Sequence, residues 1–208
     1  MAEEKQSDLD LLEAWRGGDQ PAGNTLFERH FRSIYRFFRS KVDDATAEDL
    51  AQATFMACVD GRDRFRQHSS FRTYAYAIAR NQLYMHLRKR GRQDKVMEFD
   101  TVSAADLEPG PRTLVAAKQE QQLLMRALRR IPLEFQIVVE LYYWEGLRTP
   151  DLARILDVPE GTVRSRLTRA RDHLGKQIKA LAADAALAES TVAGFDTWAA
   201  SLKAALDA

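Results

Sequence analysis

The chain has 208 residues, 45% of them hydrophobic and 29% charged, which allows a buried core in a soluble protein of one large or two small domains. The formal net charge of +1 hides a segregation: Met1–Glu28 is acidic, Arg62–Lys95 carries ten bases against two acids, and a second basic block runs from Arg164 to Lys179, so two strongly positive surfaces are expected. The acidic N-terminus lacks a signal-like apolar run and no stretch approaches the roughly twenty apolar residues of a membrane span, so the expected location is cytoplasmic, without membrane insertion.

Helical periodicity dominates and strand alternation is lacking, so the fold class is all-α. Ser7 caps a first short helix carrying Leu9, Leu11, Leu12 and Trp15, which Gly17-Gly18 ends. Asp19 and Pro21 open a second helix, with Leu26, Phe27, Phe31, Ile34, Tyr35 and Phe38 on one broad apolar face. A third helix is expected from Thr46 to Val59, with Leu50, Phe55 and Val59 inward. It contains Cys58, the only cysteine, which excludes an intrachain disulfide and reads as a buried structural thiol. Asp60–Ser70 is an arginine-rich loop and Phe71–Arg90 a fourth helix.

From Gly91 to Arg112 the pattern breaks, and Glu108-Pro109-Gly110-Pro111 cannot continue a helix. The division is therefore a first helical domain over 1–90, a flexible linker over 91–112, a helix-turn-helix domain over 113–179, and a helical C-terminal extension over 180–208. In the second domain a helix is expected from Leu114 to Arg130 and another from Pro132 to Trp144, closed by Gly146. In the alanine-rich tail Phe195, Trp198 and Leu202 recur at helical spacing; packing back on a domain or weak order is favoured over docking a regulator.

The strongest motif is Thr149–Ile178. Thr149 is placed as N-cap and Pro150 at the first helical position. A short helix over Asp151–Leu156 breaks at Asp157-Val158-Pro159, and a longer one follows from Thr162. Leu152, Ile155, Leu156 and Val158 face Val163, Leu167, Ala170 and Leu174, with the small Ala153 at the closest approach. That is the spacing of a helix-turn-helix. Asp157 stands where glycine often turns the chain, and aspartate tolerates a left-handed backbone better than most residues. The second helix then presents Arg164, Ser165, Thr168, Arg169 and Arg171, with Arg166 beside them. Exposed arginines and small hydroxyls suit base edges in a major groove, with flanking bases on phosphates.

The helix over Phe71–Arg90 interleaves Arg72, Tyr74, Tyr76, Arg80, Tyr84 and Arg88. Guanidinium groups and rings of this kind bind single strands, at about 1–3 kcal/mol per stacked base. Tyrosines at helical spacing also serve as core, and the residues alone leave both readings open.

Three stretches together resemble the sigma factors of bacterial RNA polymerase, of the compact extracytoplasmic-function (ECF) type. They are Glu48-Asp49-Leu50 with Gln52, Thr54 and Phe55; Phe71-Arg72-Thr73-Tyr74 with Ile78-Ala79-Arg80-Asn81 and His86-Leu87-Arg88; and Gly161-Thr162-Val163-Arg164-Ser165-Arg166-Leu167 with Arg169-Ala170-Arg171. The resemblance spans Asp8 to Ile178 and keeps the family's order. It implies a factor that binds core RNA polymerase through Asp49 and Gln52 and directs promoter-specific initiation. It further implies that Arg72, Tyr76, Arg80, Asn81, Tyr84 and Arg88 take the melted −10 strand. Arg164, Ser165, Arg166, Thr168, Arg169 and Arg171 are implied for the −35 duplex. No catalysis, cofactor or metal is called for, and an anti-sigma partner is common in the family.

The sequence departs from the family pattern at Ala53, where an acid is common, and in Leu147-Arg148-Thr149-Pro150-Asp151, which precedes the helix-turn-helix. The tail beyond Ile178 exceeds the minimal pattern. A helix-turn-helix regulator acting without polymerase would leave the Asp49–Gln52 and Arg80–Asn81 segments unexplained. An enzyme is disfavoured by scattered histidines, none at metal-ligand spacing with cysteine, and by the lack of a phosphate-binding glycine loop.

Overall fold

The structure, a computed structural model, describes residues 6–62, 69–90, 103–107, 119–195 and 197. Among these residues no strand forms; one isolated bridge joins Ser103 to Pro132. No helix among them is long and apolar enough to cross a membrane.

Helix α1 (Asp8–Arg16) begins in a reciprocal cap, as Asp10 N–H donates to the Ser7 hydroxyl (3.2 Å) and Ser7 N–H to the Asp10 carboxylate (3.0 Å). Gly18, at φ 101°, turns the chain into α2 (Gln20–Arg39), whose first turn Asp19 caps. The two helices touch closely because Gly23 has no side chain: a Cβ there would lie 2.5 Å from the Trp15 ring. Helix α3 (Asp44–Gly61), capped by Asp43, and α4 (Phe71–Arg90) complete the first unit. Its core gathers Leu11, Trp15, Leu26, Phe38, Ala51, Cys58, Ala75 and Leu83. Burial pushes the Cys58 thiol up to about 12, in keeping with the expected inert, structural role.

Residues 63–68 of the expected loop, and most of the expected linker, lie outside the described residues. Within the linker segment one helical turn, α5 (Ala104–Leu107), is anchored where Arg129 donates to the Ala104 carbonyl (3.2 Å). The second unit begins with α6 (Gln119–Arg130) and α7 (Leu133–Val139), and α7 runs on into a π-helical turn, Glu140–Trp144. Every residue of α7 is buried, as expected of a helix packed on both sides. One side (Ile137, Val138) joins the first unit's core; the other (Phe135, Val139) joins a second core with Leu124, Leu128, Ala170 and Leu174.

Gly146, at φ 62°, ends the π turn, and α8 (Thr149–Leu156) and α9 (Glu160–Leu181) follow. Arg148, rather than Thr149, occupies the cap position of α8; the threonine hydroxyl is engaged instead by Glu160 (2.7 Å). Helix α8 packs against α4, burying Leu152, Ile155 and Leu156, each worth about 1.5–3 kcal/mol when fully removed from water. The tail forms α10 (Ala185–Ala193) against α6 and α9. Of the three tail residues, Phe195 meets Tyr143 edge-on at 5.0 Å; Trp198 and Leu202 lie outside the described residues.

Candidate nucleic-acid interface

The turn between α8 and α9 is set by one residue. Asp157 adopts φ 55°, ψ 50°, and its N–H closes α8 on the Ala153 carbonyl. It is the one non-glycine residue with positive φ among the described residues. Helix α9 then buries Val163, Ala170, Leu174 and Ile178, leaving Arg164, Thr168, Arg169 and Arg171 exposed and Ser165 half-buried. Arg164, Thr168 and Arg171 recur at the spacing of one helical face.

The Arg164 side chain is 71% exposed, and its guanidinium rests on Glu160 at 2.5 Å. The Thr149 hydroxyl and then the Arg164 guanidinium hold the Glu160 carboxyl below the usual carboxylate range. Arg171 stands over the rings of Tyr143 (5.4 Å) and Phe195 (5.7 Å), so the tail reaches the edge of this face. Arg166 departs from the expected surface: it turns inward to Glu134 at 2.7 Å, half-buried.

The basic and aromatic set of α4 is divided. Asn81 and Arg88 are exposed. Tyr76 and Tyr84 are buried, so the rings expected to stack on bases are covered in this arrangement. Arg72 Nη2 donates to Glu145 (2.6 Å), which also takes Arg36 Nη2 (2.5 Å). Arg80 Nη2 donates to Glu134 (3.0 Å), as does the Tyr84 hydroxyl. Lys41 donates to Glu140 in the same seam; burial pulls the Lys41 ammonium pKa down, against the pull of that carboxylate. The acidic partners Glu134, Glu140 and Glu145 lie in and beside α7 and were not singled out from sequence. The readable signal was three carboxylates within Leu133–Glu145, otherwise dominated by apolar residues, since buried charges need partners.

Asp49 and Gln52 are exposed on α3. Met56, one turn beyond Gln52, is 62% exposed and extends that face with an apolar contact the sequence reading passed over.

The Sigma-70 region 2 family matches residues 26–93, from within α2 to just past α4. The Sigma-70, region 4 family matches residues 121–174, from α6 into α9. Together they cover more than half of the chain, with regions 2 and 4 in family order. The chain belongs to the sigma-70 family, as an ECF sigma factor. The ECF RNA polymerase sigma-E factor of Escherichia coli (strain K12) is 29% identical over 186 residues, which cover 86% of this chain and 97% of that protein. The Haemophilus influenzae sigma-E factor is likewise 29% identical over 186 residues, covering 86% and 98%. In fold, this sigma factor is similar to CnrH in complex with the cytosolic domain of CnrY, with TM-score 0.62 and 21% identity over 85% of this chain and 100% of CnrH. It is similar also to the sigma factor RpoE of Bartonella quintana in complex with the anti-sigma factor NepR, with TM-score 0.55 and 24% identity over 76% and 95%. As a sigma factor the chain is a promoter-directing transcription initiation factor; α4 falls in region 2 and the first part of α9 in region 4.

Proposed function

We propose that this sigma factor joins core RNA polymerase in the cytoplasm through the α3 face of Asp49, Gln52 and Met56. In that complex α9 reads the −35 duplex, with Arg164 and Ser165 at base edges and Thr168, Arg169 and Arg171 on the flanks. The observation that carries this reading is the exposed basic and hydroxyl face of α9, behind a helix-turn-helix whose turn is formed by Asp157. An arginine at the start of a recognition helix can pair bidentately with guanine, and Glu160 already restrains the Arg164 side chain.

Arg72, Arg80, Asn81 and Arg88 of α4 take the melted −10 strand, with the Tyr84 ring available once α4 is uncovered. Tyr76, fully buried and edge-on to Phe37 at 5.8 Å, positions α4 from within the core. No covalent step is involved: tighter binding of the open strand offsets the few kcal/mol that unstacking costs. Arg166 contributes by holding α9 to Glu134 and not by touching phosphate. An anti-sigma partner, such as the one bound to the Bartonella RpoE, is expected to regulate the chain.

The docking assignment is tested by Asp49→Ala with Gln52→Ala. Both side chains are exposed, so the double variant should keep the wild-type melting temperature yet lose most of its binding to core polymerase in a pull-down. Normal holoenzyme assembly by a folded double variant would sink the assignment.

A further inference from the structure

The region 4 match ends at residue 174, so the C-terminal extension lies beyond it. The chain leaves α9 at Leu181, and Asp184, accepting from Leu187 N–H (2.8 Å), caps α10. That helix lies on α6 and α9, with Ala188 buried in the second core and Leu187 and Phe195 packed against it. Gly194 closes α10 on the Ser190 carbonyl (2.9 Å), and Phe195 comes to rest beside Arg171. The Arg171 guanidinium stands 5.7 Å from the Phe195 ring and 5.4 Å from the Tyr143 ring, and the two rings meet at 5.0 Å and 89°. The π turn and the tail, far apart in sequence, thus supply one aromatic corner for a residue of the recognition helix.

Arg171 remains exposed although it is stacked. A guanidinium is held on a ring by its face and meets phosphate with its edge, so one group does both. An unrestrained arginine gives up rotamer freedom when it settles on a phosphate, and one already held on rings loses less. The tail helix is also poor in charge: beyond its cap, the one acidic residue of α10 is the exposed Glu189. A segment of that composition does not imitate a phosphate backbone, and it leaves Arg164 and Thr168 exposed.

We propose that the C-terminal extension is a working part of the −35 reader: Phe195, with Tyr143, is a positioning residue that holds Arg171 at the phosphate flank of α9. The inference rests on α9 being the −35-reading helix.

The test uses holoenzyme assembled from core polymerase and the full chain, with a duplex promoter fragment that the wild-type holoenzyme transcribes. Arg171→Ala should weaken binding about tenfold and lower its salt slope by about one. Phe195→Ala and Phe195→Leu should each weaken it about threefold. Phe195→Tyr should bind as the wild type does, because the ring and not the apolar bulk holds the guanidinium. With Arg171→Ala already present, Phe195→Ala should cause no further loss. An equal loss in both backgrounds would mean that Phe195 only supports the packing of α9, and overturns the proposal. Binding by Phe195→Ala as tight as wild type, or tighter, overturns it too; if Arg171→Ala still weakens binding, the −35 role of α9 stands. Should Arg164→Ala and Arg171→Ala both leave binding and selectivity unchanged, the reading of α9 falls and the proposal with it. Phe195→Leu keeps the apolar bulk, so its comparison with Phe195→Tyr decides the matter even if Phe195→Ala fails to fold.

Discussion

Asp157 is the residue on which the recognition helix turns. A left-handed backbone costs most L-residues about 1–2 kcal/mol, less for aspartate and nothing for glycine. We therefore predict that Asp157→Gly leaves the melting temperature unchanged or slightly raised, whereas Asp157→Val lowers stability by roughly 1–2 kcal/mol in thermal unfolding. Equal melting of the two variants would show that the turn does not depend on this conformation. The break at Asp157-Val158-Pro159 was readable because turn chemistry is local. The cap of α8 was not: Thr149 is a good N-cap by type, yet its hydroxyl goes to Glu160, eleven residues on. Thr149 instead is the first residue of α8, an assignment that only the folded partner explains.

At the scale of the element, α4 and α9 carry similar arginines to different ends. Arg164 projects from α9 beside Glu160, and Arg88 stands exposed near the end of α4. We predict that Arg164→Ala changes base preference at one or two −35 positions, costing about 1–3 kcal/mol at the preferred base. Arg88→Ala should weaken promoter engagement evenly across sequences and flatten its salt dependence by about one unit of slope. Transcription from a randomised −35 library, repeated over a salt series, separates the two; unchanged selectivity for Arg164→Ala would move the recognition face elsewhere on α9. The extent of α4 was legible, from Phe71 to Arg90, because period and flanking breaks are written along the chain. The fate of its tyrosines was not. Tyr84 is covered through Glu134, a residue 50 positions away, and no local spacing announces that. The turn at Ala104–Leu107 was missed for a related reason: its hold comes from Arg129 on α6, not from any periodicity of its own. The π turn at Glu140–Trp144 likewise has no signature in a segment that reads as plain amphipathic helix.

At the scale of the whole molecule, the sequence reads as two helical units with a linker between them, and composition alone gives no reason to pack them together. Their joining has two physical parts. Ile137, Leu141, Leu152 and Val163 extend the first unit's core across the seam. The three buried glutamates pair with Arg36, Lys41, Arg72 and Arg80 along it. The seam engages Arg72, Arg80 and Tyr84 of α4 and leaves exposed Asn81 and Arg88, Asp49 and Gln52 on α3, and Arg164 and Thr168 on α9.

The most direct test of the proposed function is transcription in vitro from a promoter library, using purified core polymerase with and without this protein. The account predicts transcripts that appear only when the protein is added and that share a two-part upstream motif, with the −35 part altered by Arg164→Ala. A library transcribed identically with and without the protein, under conditions where core polymerase is active, would contradict it.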